Sequence, residues 1–204
     1  MNHGPRKYAI MSSVRKSAFI LPILVVAALC CAGAEDEGYA YDRWSVGASG
    51  GVMLPGNGNA LRRAAAVSLR GGYYATETFA LEVEAASVPR ASAKGMGGAS
   101  LTGVSAGGLL HLTALETYDR LFGSERFDPF VTFGAHAAFA SKHVFADCSH
   151  RSAFGPAAGI GAFYHLTERL SVRAEARAAL CCDSPCGMLY GVFAGLQYSF
   201  GADE

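Results

Sequence analysis

The stretch LSVRAEARAAL, residues 170–180, sets Ser171, Arg173, Glu175 and Arg177 at every second position, with Val172, Ala174, Ala176 and Ala178 between them. Successive side chains of an extended chain leave opposite faces, whereas a helix would scatter these charges around its axis. The stretch is therefore a strand with one face that needs polar company and one face of small apolar groups. Two environments accept it. A soluble sheet buries the apolar face and wets the charged one. A membrane barrel does the reverse, turning the apolar face to lipid and the charges inward.

The same period recurs along the chain. Residues 44–54 alternate Trp44, Val46, Ala48, Val52 and Leu54 with Ser45, Gly47, Ser49 and Gly51. Residues 62–74 oppose Ser68 and Arg70 to Val67 and Leu69, and 79–88 set Glu82 and Glu84 between Leu81, Val83 and Ala85. Residues 101–113 oppose Ser105 and His111 to Val104, Leu110 and Leu112; 130–140 oppose Thr132 and His136 to Val131, Phe133 and Phe139. Residues 154–165 and 188–200 complete the set, giving eight strands of about ten residues, an even number. Two connectors, 75–78 (ATET) and 166–169 (LTER), read as tight turns. Those at 55–60, 87–100, 141–153 and 181–187 read as looser loops, and 115–128 is a long connector in which a helical turn is expected.

Composition narrows the choice. Apolar residues make up 51% of the 204, charged residues only 17%, and the 25 glycines argue against a helix bundle. Net charge is zero, so no nucleic-acid partner is expected. Arg6, Lys7, Arg15 and Lys16 precede the apolar run 18–34, which ends in Ala32-Gly33-Ala34. That is the pattern of a signal peptide over 1–34 ahead of a domain over 35–204. Leu29 before Cys30 and Cys30 before Cys31 depart from the small residue that a lipidation site wants. Beyond residue 34 no apolar run reaches the roughly 18 residues of a membrane helix. Four cysteines follow the leader, Cys148, Cys181, Cys182 and Cys186, and an even number in an exported chain suggests disulfides.

Laid antiparallel, the strands bring Trp44, Tyr73, Tyr74, Phe79, Phe130, Tyr164, Tyr198 and Phe200 to one end, the short-turn end, as an interfacial girdle would require. This favours an all-β, eight-stranded antiparallel up-and-down transmembrane barrel, with the soluble barrel as the rival. RFDPFVTFGAHAAF (126–139), FGPAAGIGAFYHLTERLSVRAEARAAL (154–180) and GVFAGLQYSFG (191–201) resemble the small outer-membrane β-barrel family related to the membrane domain of outer membrane protein A. The resemblance implies that fold, an outer-membrane location, and a last strand whose aromatic end, Tyr198 and Phe200, is read by the barrel-insertion machinery. Outer-membrane lipid and lipopolysaccharide are the implied surroundings. Phe200 is followed by GADE, with no peptidoglycan-binding domain after it.

On this reading Arg70, Glu82, Glu84, His136, Arg173, Glu175 and Arg177 share the lumen, where mixed signs can pair. An eight-stranded lumen is just wide enough for side chains to fill, so a plug is expected. Neither catalytic residues nor a cofactor is assigned. His143, Cys148 and His150 on one loop, with Cys181, Cys182 and Cys186 on another, fit no zinc spacing. His150 and Ser152 are similar to the His-x-Ser of lipid A deacylase barrels, with Asp147 the nearest acid. The expected function is non-enzymatic: bracing of the envelope or adhesin-like surface contact with an external ligand. A lipid-modifying enzyme and a small-solute conduit are the rivals.

Overall fold

A computed structural model describes residues 44–56, 61–93, 96–112, 126–145, 150–181 and 187–201. They form β1 (Trp44–Pro55), β2 (Ala64–Tyr74), β3 (Phe79–Ala93), β4 (Met96–His111), β5 (Phe127–Ala140), β6 (Ser152–His165), β7 (Leu170–Cys181) and β8 (Gly187–Phe200). Each strand pairs with its sequence neighbour, and β1 with β8 closes the barrel. No edge is left to template other chains.

Alternation sorts the two faces. Val46, Leu69, Leu81, Val83, Val104, Ile160, Val192 and Leu196 are all exposed on the outer wall. A continuous apolar belt of this kind is untenable in water and natural in hydrocarbon. Trp44, Tyr164, Tyr198 and Phe200 ring one end of it, and Trp44 packs on Tyr73 at 4.9 Å between ring centroids. A second ring, Phe139, Phe154 and Tyr190, bounds the other end. From Phe154 to Tyr164 is ten residues along β6. At about 3.3 Å per residue and a tilt of about 40° that spans roughly 25 Å, the apolar height of an outer-membrane barrel.

Three expectations need correction. Tyr74 and Phe130 do not belong to the girdle: Phe130 is fully buried and Tyr74 packs against the same interior cluster. Each stands on the inward parity of its strand, with Arg70 and Thr132. Phe79 does face outward but is covered, stacked on Phe133 over Gly108. Second, residues 87–100 are mostly strand. Pairing continues from Val88↔Leu101 to Ala91↔Ala99 across an irregularity holding Pro89 and Arg90. A bulge gives proline a place where no ladder hydrogen bond is asked of it. Third, the connector 141–153 is no simple polar loop. Val144 and Phe145 are buried, and Phe145 bridges to His150. The helical turn expected within 115–128 lies mostly outside the described residues, and β5 already begins at Phe127.

The short turns share one device. Thr76 Oγ1 accepts a bond from the Phe79 amide at 3.0 Å, and Thr167 Oγ1 accepts from Leu170 at 2.9 Å. A threonine hydroxyl thus closes each four-residue turn. In the wall itself Gly107 pairs with Gly134, and a Cβ added at either would stand 2.1 or 2.3 Å from the facing strand's carbonyl oxygen. Backbones approach this closely only because neither residue has a side chain.

Candidate functional site: struts across the lumen

The inward faces stack in three tiers. Nearest the short turns lie Ala80, Leu109, Phe130 and Phe163, with Tyr74 against them. Toward the opposite mouth lies a larger apolar cluster that includes Val88, Leu101, Leu189 and Phe193, closed over by Leu61, Val144 and Phe145. Between them stand the charges.

Because β7 has a period of two, Arg173, Glu175 and Arg177 all point inward from one strand. In a ring of eight, β7 faces β3, so their partners lie across the bore. Arg173 donates two bonds to Glu82, Nη1 to Oε1 at 2.6 Å and Nη2 to Oε2 at 3.0 Å. Arg177 Nη2 reaches Glu84 Oε2 at 2.7 Å. Arg70 of β2 meets Glu175 at 2.9 Å and Glu84 at 3.0 Å. Glu175 also accepts from Arg173 Nη2 at 2.9 Å. Three arginines and three glutamates thus form one neutral network. The guanidinium of Arg173 lies 4.4 Å from the Phe130 ring centre, and that of Arg177 lies 4.5 Å from Phe193. The aromatic tiers therefore grip the charged one from both sides. Every cation is held by at least one carboxylate, which is the condition under which buried charge is tolerable.

His136 shares this interior without joining the ion pairs. A cavity of about 50 Å³ opens beside it, lined among others by Glu84, Ser105, Thr132 and Arg177. Among the described residues His136 Nε2, Glu84 Oε1 and Arg177 Nε have no hydrogen-bond partner. They supply donors and acceptors together, the requirement of bound water.

A second polar group, not expected as a cluster from the sequence, sits at the short-turn mouth. His111 Nδ1 bonds Asp128 at 2.5 Å, His165 Nε2 stands 3.8 Å from the same oxygen, and His165 Nδ1 bonds Ser171 at 2.8 Å. Gln197 donates to the Tyr74 hydroxyl at 3.2 Å. Inward parity of these residues is the signal in the sequence, and the polar composition of 115–128 masks it because Asp128 is already the second residue of β5. Two readings of the opposite mouth fall elsewhere. His150 and Ser152 are both exposed, and Asp147 lies outside the described residues. Cys181 ends β7 buried inside the outer apolar tier, whereas Cys148, Cys182 and Cys186 lie outside the described residues. Among the described residues no group of three His, Cys, Asp or Glu side chains is arranged to hold a metal ion. Tyr198 and Phe200 face outward at the end of β8, where Gly201 takes a φ of 108° and turns the chain off the wall.

The profile described as outer membrane protein beta-barrel domain matches residues 23–181. Among solved structures, neisserial surface protein A is 16% identical, with a TM-score of 0.57 over 80% of this chain and 100% of that one. OprG of Pseudomonas aeruginosa is 12% identical, with a TM-score of 0.55 over 79% of this chain and 98% of that one. No curated protein sequence matches the chain.

Proposed function

Given that the chain belongs to the outer-membrane protein β-barrel family, we propose that it is a sealed, non-enzymatic barrel of the surface-interaction type. Both termini lie on the periplasmic side, and the signal peptide of residues 1–34 is removed on export. One observation carries this reading: the bore is filled at every level, by rings, by ion pairs and by an apolar cap. A conduit needs a continuous wet path, and an enzyme of this membrane needs a reactive group open to lipid or water. The three-tier packing supports neither. What the barrel offers to other molecules is its outer end, where the β3–β4 hairpin continues past the aromatic ring. The register Ser87↔Thr102↔Phe139 sets the ring's level on β3, and the strand runs six residues further, about 20 Å.

Planar-bilayer recording tests the seal. Purified protein should add no conductance steps to the membrane. Regular single-channel openings would overturn the plug. An epitope placed after Glu204 should be unreachable on intact cells, and surface labelling there would reverse the orientation.

A further inference from the structure

The charged tier is not filled evenly. The struts between β3 and β7 divide it, and Arg70 occupies the half toward β1, β2 and β8. The other half is walled by β4, β5 and β6, whose inward residues at this level include Ser105, Gly107, Thr132, Gly134 and Ala157. These small residues keep accessible surface although they face inward, and the cavity of about 50 Å³ lies against them. That is room for more than one water.

The three unpartnered atoms on this chamber are unlike in kind. Arg177 Nε can only donate, Glu84 Oε1 can only accept, and His136 Nε2 does either according to its proton. Glu84 and His136 are 7% and 9% exposed. Glu84 Oε2 is already committed, at 3.0 Å to Arg70 and 2.7 Å to Arg177. Every other carboxylate oxygen of the network has a hydrogen bond, whereas Oε1 has none among the described residues. Register brings acceptor and imidazole together: Glu84 pairs with Ser105 and Ser105 with His136, one inward row across three strands. Gly103 gives the ring its seat, since a Cβ there would lie 2.7 Å from the imidazole Cε1.

We propose that the chamber is a proton-binding site, in which His136 takes a proton from bulk by way of the chamber's water and Glu84 Oε1 holds the imidazolium. While His136 is neutral the strut charges balance. Once protonated, both ring nitrogens donate, and Nε2 needs an acceptor that Glu84 Oε1 supplies, directly or through one water. The other charges at this level are Arg70 on β2, Glu82 on β3, and Arg173, Glu175 and Arg177 on β7; β1, β4, β6 and β8 bring none. An added buried cation is tolerable only with such a partner. It draws the Glu84 carboxylate toward β5, so the Arg177–Glu84 pair loosens as the proton binds.

Nitrogen NMR on the full barrel in detergent micelles, isotope-labelled in histidine and arginine, tests this from about pH 8 to about pH 4, the range that brackets imidazole titration. The His136 ring signals, assigned by their loss in His136→Asn, should move as a one-proton step. The Arg177 Nε signal should follow with the same midpoint, and should stop responding in His136→Asn. Glu84→Gln, whose amide carries no countercharge, should weaken proton binding by His136 at least about tenfold. Because that variant also takes an anion from Arg177, Ser105→Val is its companion: it fills the chamber with methyl groups, keeps every strut, and should weaken proton binding as much. Heat-dependent gel mobility confirms that each variant is folded. Static His136 signals across the range, an Arg177 signal that does not follow them, or unchanged proton binding in folded Ser105→Val would overturn the proposal. None of these outcomes bears on the seal, which conductance measures separately.

Discussion

Glu175 shows what a single side chain does in this interior. It is 6% exposed and receives hydrogen bonds from Arg70 and Arg173. Glu175→Leu removes the acceptor and leaves two cations short of a partner, so it should destabilise by about 3–5 kcal/mol, less where lumen water relieves them. Urea titration followed by heat-dependent mobility measures this. One residue away, Ala174 faces lipid, and Ala174→Arg should cost roughly 2–4 kcal/mol near the midplane. Harmless arginines at both Ala174 and Val172 would mean that the faces are assigned backwards. At this scale the sequence is legible in one respect only. Parity tells which way Arg173 points, but nothing in LSVRAEARAAL says that Glu82, 91 residues away, lies across the bore from it. Parity also places Phe130 and Phe163 inside, yet aromatic residues near strand ends read more readily as girdle.

At the scale of elements, eight strands were readable because each keeps its period over about ten residues. Their outer ends were not. Pro89 and the glycines and serines around it are turn formers, and a bulge lets them continue a hairpin. The buried Val144 and Phe145 sit in a stretch whose Ser141, Lys142 and His143 suggest only solvent. Glycines give the sharpest tests of the wall. Gly107→Val should prevent formation of the compact, heat-modifiable species, since its Cβ would lie 2.1 Å from the Phe133 carbonyl oxygen. Gly50→Ala, with nothing within 4 Å of the new carbon, should leave mobility and stability unchanged. For the cysteines we propose one bridge from Cys148 to Cys181 or Cys182, and one from the remaining cysteine to Cys186. The burial of Cys181 beside Val144 and Phe145 puts its strand end in the same apolar tier as Cys148's connector. Non-reducing peptide mapping decides the matter, and four alkylatable thiols would refute the pairing.

Taken whole, the molecule is a ring, and a ring has no place to begin coming apart. An open sheet can fray from its outermost strand at little cost, but here β1 is held by both β2 and β8. Opening any seam breaks a full ladder and also exposes unpaired backbone to hydrocarbon, at several kcal/mol per group. Local openings within the belt are thereby suppressed, and its amides should exchange with solvent deuterium only through collective loss of the barrel. The exchange map should then show two classes: near-uniform, very slow amides between the aromatic rings on all eight strands, and faster ones beyond Val88 on β3 and before Leu101 on β4, where the hairpin stands clear of the membrane. A gradient of protection around the circumference, weakest at the β1–β8 seam, would mean that closure is the barrel's weak point and that it breathes there.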